Sequence, residues 1–174
     1  MKRTLLVIVL ALAVLAGTAA AGTREFWKGG IYVTPQIGIN RWTIPFGVNV
    51  EYGLTENIGL AGTGMIWLWS DEWASSTAIN LGAEANYHFT KLQAEKFDLY
   101  AGGGLGYTIY SFKEKSGWLD DSETGSSGIY IQTVLGGRYY FNPKMAVSLR
   151  LVGSLVGHWA GIGATIGVTF VMGK

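Results

Sequence analysis

The amino-acid sequence predicts an all-β protein, an eight-stranded antiparallel up-and-down transmembrane β-barrel. Three observations predict this fold class. Only 14% of the 174 residues are charged, whereas soluble domains usually have about 25%. Apolar side chains alternate with polar or small ones over eight segments, as in strands whose two faces meet different surroundings. One of these faces, followed through all eight segments, carries no charged residue at its 45 positions.

The first 21 residues are predicted to be a secretory signal peptide, not part of the fold. Lys2 and Arg3 precede an uncharged apolar run of 12 residues, and small side chains follow at Ala19 and Ala21. This order is typical of a signal peptide. The run is too short for a membrane helix, which needs about 20 apolar residues. We expect cleavage after Ala21, which leaves residues 22–174 as the barrel domain.

Eight segments carry the alternation that predicts strands. The first places Ile31, Val33 and Ile37 on one face and Tyr32 and Thr34 on the other. Strands of roughly 9–11 residues are long enough to cross a membrane when tilted. The predicted strands cover residues 31–40, 46–54, 58–68, 79–89, 99–110, 129–141, 146–155 and 162–170.

Pro35 conflicts with the first predicted strand. Proline has no backbone N–H to donate to a ladder, and a closed barrel has no free edge to place it on. We therefore expect a bulge or a missing hydrogen bond at this position.

The alternation alone fits two kinds of barrel. A soluble lipocalin-like barrel turns its apolar face inward, and a transmembrane barrel turns it outward to lipid. A polar face that met bulk water should be rich in Lys and Glu. This one carries four charged residues across eight strands, among Gly, Asn, Thr, Ser and Tyr. The composition favours a narrow lumen inside a transmembrane barrel.

Aromatic residues cluster near both ends of the predicted strands. Paired aromatic girdles are typical of a barrel wall that crosses two membrane interfaces. The two groups are Tyr52, Tyr87, Phe89, Phe97, Tyr139, Phe141 and Phe170 at one end, and Trp42, Trp67, Trp69, Trp73 and Trp159 at the other.

The connections predict the orientation of the barrel. Residues 55–57 and 142–144 are short turns of turn-favouring residues, and residues 90–98 form a longer link on the same side. The other side carries longer loops, the largest from Ser111 to Gly128. In outer-membrane barrels the short turns are periplasmic and the longer loops extracellular. Both termini are therefore predicted to be periplasmic.

The loop from Ser111 to Gly128 has two interpretations. It carries six charged residues, and such a run is usually a solvated loop. The alternative is a contact loop for an extracellular or envelope partner, with Trp118 as its anchor.

The last predicted strand carries the sharpest motif. Thr165, Gly167, Phe170 and Met172 match the pattern of the C-terminal signal that the barrel-assembly machinery recognises, with Met172 in place of the usual aromatic residue. Over about residues 29–172 the chain resembles the small outer-membrane β-barrel domain family of the OmpA, OmpX and OmpW type. The resemblance implies an outer-membrane location, and outer-membrane lipid and the assembly machinery as partners.

Four charged residues are predicted to share the lumen: Glu51, Glu84, Arg138 and Arg150. The interior of an eight-stranded barrel is just wide enough for its side chains to fill. Because an unpaired charge there would be costly, we expect acids and bases to pair. They form either a structural plug or a gate or ion site. The lumen glycines either make room for Tyr32, Tyr100, Tyr130 and Tyr140 or leave a narrow channel.

Composition argues against several other classes of function. A net charge of +1 does not match a nucleic-acid binder. No Cys and two His residues give no metal-ligand cluster, and we expect no cofactor. His88 and His158 have no nucleophile at triad-like spacing, so we expect no catalytic residues and no enzyme activity.

The sequence therefore predicts an outer-membrane barrel with a structural or loop-mediated interaction role and a largely plugged lumen. The main alternative is a narrow pore for small or apolar solutes, as in the OmpW branch of the family that the chain resembles. A lipid-modifying enzyme is the third hypothesis.

Overall fold

The computed structural model describes residues 26–39, 44–70, 72–90, 96–114, 123–157 and 162–173. The predicted signal peptide lies outside them. The chain forms eight strands in a closed barrel, each paired with its sequence neighbours, and β1 closes on β8. This confirms the predicted fold class. The strands are β1 (Ile31–Ile39), β2 (Phe46–Gly53), β3 (Ile58–Ser70), β4 (Ala74–His88), β5 (Phe97–Glu114), β6 (Glu123–Asn142), β7 (Met145–Gly157) and β8 (Ile162–Met172).

All eight strand pairs are antiparallel, and their register is staggered around the barrel. The paired residues, followed once around from Asp98 on β5, lead back to β5 at Thr108, ten residues further along. Such a stagger requires tilted strands, and eight of them enclose a space that side chains can fill. Within the described ranges, no helix is long and apolar enough to cross a membrane.

The apolar face of the strands points outward, as predicted. On β6, Leu135 is 54% exposed and its neighbour Val134 is 3% exposed. The same contrast repeats on the other strands, where exposed Ile, Leu and Phe alternate with buried polar residues. Among the described residues, the buried acidic and basic side chains all lie on the inward face; they are Glu51, Glu84, His88, Asp98, Arg138 and Arg150.

Several strands extend further than the sequence predicted. The segment from Ser111 to Gly128 was predicted to be a loop, but pairing between β5 and β6 continues to Lys113 and Glu123. Serine, glycine and threonine favour turns in isolation, and here the hydrogen bonds of the β5–β6 pair outweigh that preference. The two strands therefore form a long hairpin. Its residues 115–122, with Trp118, lie outside the described part of the chain.

Trp67 corrects the predicted aromatic girdle. It lies on the inward face of β3 and is only 9% exposed, whereas Trp73 is 75% exposed. An inward tryptophan fills the lumen and cannot lie at a lipid interface. Trp42 and Trp159 fall outside the described residues.

The conflict at Pro35 is resolved by a gap in the ladder. Pairing of β1 with β8 runs to Val33 and resumes at Gln36 in the same register. A bulge or a missing hydrogen bond was predicted at Pro35, and the structure has the missing hydrogen bond. The hydroxyls of Thr34 and Thr169 share a hydrogen bond of 2.8 Å across this gap. Register shifts occur instead between β6 and β7.

Candidate functional site

The polar interior of the barrel is the candidate site, and its first ion pair crosses the lumen. Arg138 on β6 donates through Nη2 to Glu51 on β2, and through Nη1 to Asp98 at 3.4 Å. The guanidinium carbon of Arg138 lies 4.9 Å from the ring centroids of both Tyr32 and Tyr100. Arg138 is 1% exposed and Glu51 is 0% exposed. These two of the four predicted lumen charges are thus fully enclosed.

A second ion pair lies further from the turns. Arg150 on β7 donates through Nη2 to Glu84 on β4, and through Nη1 to Gln36 Oε1 at 3.4 Å. Glu84 also accepts from Gln132 Nε2 at 3.0 Å and from Asn49 Nδ2 at 3.2 Å. The four charged residues predicted from the sequence therefore lie in two cross-lumen pairs. Each carboxylate has further hydrogen-bond donors, which a buried charge requires.

Asn86 joins the two ion pairs. Its Nδ2 donates to Glu51 Oε1 at 2.8 Å and lies 3.4 Å from Glu84 Oε1. At the far end Thr165 donates to Gln36 Oε1 at 2.9 Å. A continuous hydrogen-bonded network therefore runs along the lumen from Asp98 to Thr165. We call it the lumen network.

Asp98 and His88 complete the lumen network. The alternation in residues 79–89 places His88 on the lumen face, whereas Asp98 was not predicted to lie in the lumen. His88 Nδ1 lies 2.8 Å from Asp98 Oδ1, and His88 Nε2 lies 3.2 Å from Glu51 Oε1. Asp98 was placed in the link at 90–98, but β5 begins at Phe97. The alternation could have identified Asp98, because it lies two residues before the inward Tyr100 and therefore points to the same side of β5.

Two tyrosine rings lie directly over lumen glycines. Tyr130 is paired with Gly106, and Tyr100 with Gly136. A Cβ atom added to either glycine would overlap the opposite ring. At these two positions the glycines make room for tyrosines, which was one of the two predicted roles.

The residues of the predicted assembly signal divide between the two faces of β8. Thr165 and Gly167 face the lumen, and Phe170 and Met172 are exposed on the outside. A Cβ added to Gly167 would overlap the carbonyl oxygen of Pro35. Gly167 therefore has a packing role at the β1–β8 closure, whatever its part in assembly.

The inward His88 is enclosed, and it is the one histidine within the described ranges. Its side chain is 0% exposed. His158, the other candidate for catalysis, lies outside those ranges. In the described part of the chain, no three His, Cys, Asp or Glu side chains are grouped so that they could hold a metal ion.

Comparison by sequence gives no relative: no family model and no curated protein matches the chain. Comparison by structure gives small outer-membrane barrels. The N-terminal β-barrel domain of OprF from Pseudomonas aeruginosa superposes with a TM-score of 0.65 at 18% identity, covering 83% of this chain and 98% of that one. OprG from Pseudomonas aeruginosa gives 0.65 at 10% identity, with coverages of 86% and 99%.

A third similar structure is Ail, the attachment invasion locus protein of Yersinia pestis. It has a TM-score of 0.54 at 12% identity, and the match covers 83% of this chain and 99% of Ail. At these identities the likeness concerns the fold. A closed ring of eight antiparallel strands, apolar outside and charged inside, together with these neighbours, shows that the chain has the fold of the small eight-stranded outer-membrane β-barrels.

Proposed function

We propose that the protein is an integral outer-membrane barrel with a closed lumen and a structural or surface-interaction role. The outward face supports the location, because exposed Ile, Leu and Phe on all sides suit hydrocarbon and not water. The lumen network supports the closure and is the single observation that carries the proposal. Its two ion pairs bridge opposite walls at two levels, so side chains occupy the space that an ion would need.

Planar-bilayer conductance tests the closed lumen. The wild-type barrel should give no steady channel. Arg138→Ala and Glu51→Ala each remove one side of the cross-lumen pair nearer the turns and leave its partner charged. Combined with Arg150→Ala, which also removes the bridge from Arg150 to Glu84, each should open a measurable conductance. Lys144→Ala is the matched control, because it removes an exposed charge from a turn outside the lumen.

The competing function, a narrow pore for small or apolar solutes, predicts the reverse. A steady current through the wild-type barrel, unaltered by Arg138→Ala, would contradict a plug and favour a pore. The shift in gel mobility between unboiled and boiled samples shows that each variant is folded before its conductance is compared.

The orientation of the barrel is part of the proposal. The described ends of the chain, near Phe26 and Gly173, lie at the same end as the short turns between β2 and β3 and between β6 and β7. We call this the turn end, and the opposite one the hairpin end. Short turns are periplasmic in outer-membrane barrels. The turn end is accordingly assigned to the periplasm.

The hairpin end is the proposed site of contact with an extracellular or envelope partner. The β5–β6 hairpin continues beyond the outward apolar residues, which end near Ile109 and Ile129. Lipid and the barrel-assembly machinery remain the other proposed partners, the latter through Thr165, Gly167, Phe170 and Met172.

Catalysis is not part of the proposed function. His88 faces a carboxylate oxygen with each ring nitrogen and is closed off from solvent, so it cannot reach a lipid substrate. Lipid turnover that was lost in a His158→Ala variant would contradict a non-enzymatic role.

A further inference from the structure

The segment before β1 enters the barrel at the turn end. Gly29 has a φ of 82°, a left-handed conformation that glycine adopts without strain, and it turns the chain back toward the lumen. Gly29 N–H donates to the Gly53 carbonyl at 2.7 Å, and Gly53 N–H donates to the Gly30 carbonyl at 2.9 Å. Trp27 N–H donates to the Tyr32 hydroxyl at 2.9 Å. These three bonds fix the segment against β1 and β2.

Phe26 is the first residue of this segment that the structure describes, and its side chain is buried. Its side chain is 3% exposed, although it lies outside every strand. Its ring lies parallel to the His88 ring, with centroids 3.5 Å apart and an interplanar angle of 6°. Its ring centroid also lies 5.2 Å from that of Tyr32. Phe26 thus occupies an aromatic pocket at the end of the lumen network.

His88 forms the floor of this pocket, and charged side chains surround it. His88 is faced by Asp98 and Tyr100 from β5 and by Glu51 from β2, and Glu51 in turn receives Arg138 from β6. An ionised carboxylate only accepts hydrogen bonds, so both contacts of His88 are hydrogen bonds only if both ring nitrogens carry a proton.

The charge count of the lumen network agrees with a protonated ring. Three carboxylates, those of Glu51, Glu84 and Asp98, face two arginines. An imidazolium at His88 supplies the third positive charge. An aromatic ring stacked on a cation is also favourable. Protonated His88 therefore provides a flat, charged floor that suits an aromatic side chain.

We propose that the turn end is a binding pocket for an aromatic side chain, that the protein's own N-terminal segment fills it through Phe26, and that protonated His88 is its floor. The segment is an internal plug that fills the pocket over His88 at the turn end, and closure of the lumen rests on the ion pairs of the lumen network. The inference extends the closed lumen proposed above, but its test is separate. If the wild-type barrel conducts while His88 behaves as described below, the closed lumen is wrong and the plug stands.

NMR of the ¹⁵N-histidine-labelled full-length barrel in detergent micelles tests the plug. In the wild-type protein at neutral pH, we expect both ring nitrogens of His88 to be protonated and both N–H signals to be protected from exchange with water. In Phe26→Ala the cover is removed, so these signals should broaden beyond detection. Lys28→Ala, an exposed neighbour in the same segment, should retain the wild-type signals.

The outcome that overturns the plug is a Phe26→Ala barrel that is folded by gel mobility and keeps the protected His88 signals. A wild-type ring with a single proton would overturn the charged floor. Phe26→Leu provides the second variant, because it keeps an apolar side chain but loses the ring stack. Its N–H signals should stay protected and shift in position, and unchanged positions would contradict the stacking.

Discussion

Single glycines decide whether the tyrosines of the lumen can pack. Gly136 lies directly opposite Tyr100, whose ring occupies the space of a missing Cβ, and Tyr100 in turn lies against Arg138. A side chain at Gly136 would therefore push Tyr100 toward the lumen network. Gly62 on the outward face of β3 has no atom near an added Cβ, so it offers the same substitution without the contact.

We predict that Gly136→Ala destabilises the barrel by about 1–3 kcal/mol, the usual cost of overpacking a filled interior. Gly62→Ala should leave the free energy of unfolding unchanged or slightly raise it, because alanine restricts the unfolded chain. Urea unfolding in micelles measures both. Equal effects of the two substitutions would show that Tyr100 does not depend on the space above Gly136.

The sequence predicted the charged residues of the lumen, but it gave no indication of Phe26, the residue that covers them. The alternation places four charged residues on the inward face of the strands: Glu51, Glu84, Arg138 and Arg150. Because the lumen is narrow and unpaired charges there are costly, these residues are expected to pair. Phe26 lies before the first alternating segment, and nothing local indicates that it folds back into the barrel. The position of Phe26 depends on the turn at Gly29 and on its contact with His88 on β4. The sequence alone does not indicate that Phe26 and His88 lie side by side.

The strands themselves were predictable in number and in facing, because period-two alternation reports which side chains point the same way. Their ends were less predictable. Near Gly125 and Gly128 the composition resembles a turn, yet β6 there pairs with β5. Pairing with a neighbouring strand is a long-range contribution that local residue preferences omit. The hairpin therefore stands out from the barrel further than the sequence indicated.

The β5–β6 hairpin should be reachable from outside the cell. The chain has no native cysteine, so single cysteines report orientation cleanly. With a membrane-impermeant maleimide on intact cells, Thr124→Cys at the hairpin end should be labelled and Lys144→Cys at the turn end should not. Both should react in lysed cells. The opposite labelling would place the termini outside and contradict the proposed orientation.

In the barrel as a whole, apolar residues lie outside and charged residues inside, which is the reverse of their distribution in a soluble protein. Leucine and isoleucine lie outside, and six acidic or basic side chains of the described residues lie inside with little exposure. In water this arrangement would expose a large apolar surface, which soluble monomers avoid. In a bilayer this arrangement is favourable on both faces of the barrel, since lipid covers the apolar residues and the charged side chains pair within the lumen.

The most direct test of this arrangement replaces an outward leucine with arginine. Leu135 lies in the middle of β6 on the outer face. If it meets hydrocarbon, Leu135→Arg should lower the free energy of unfolding in lipid bilayers by about 2–4 kcal/mol. Gly125→Arg, on the same face of β6 but beyond the apolar residues, should change it little. If Leu135→Arg is as well tolerated as Gly125→Arg, the outer face does not contact lipid and the barrel does not span a membrane.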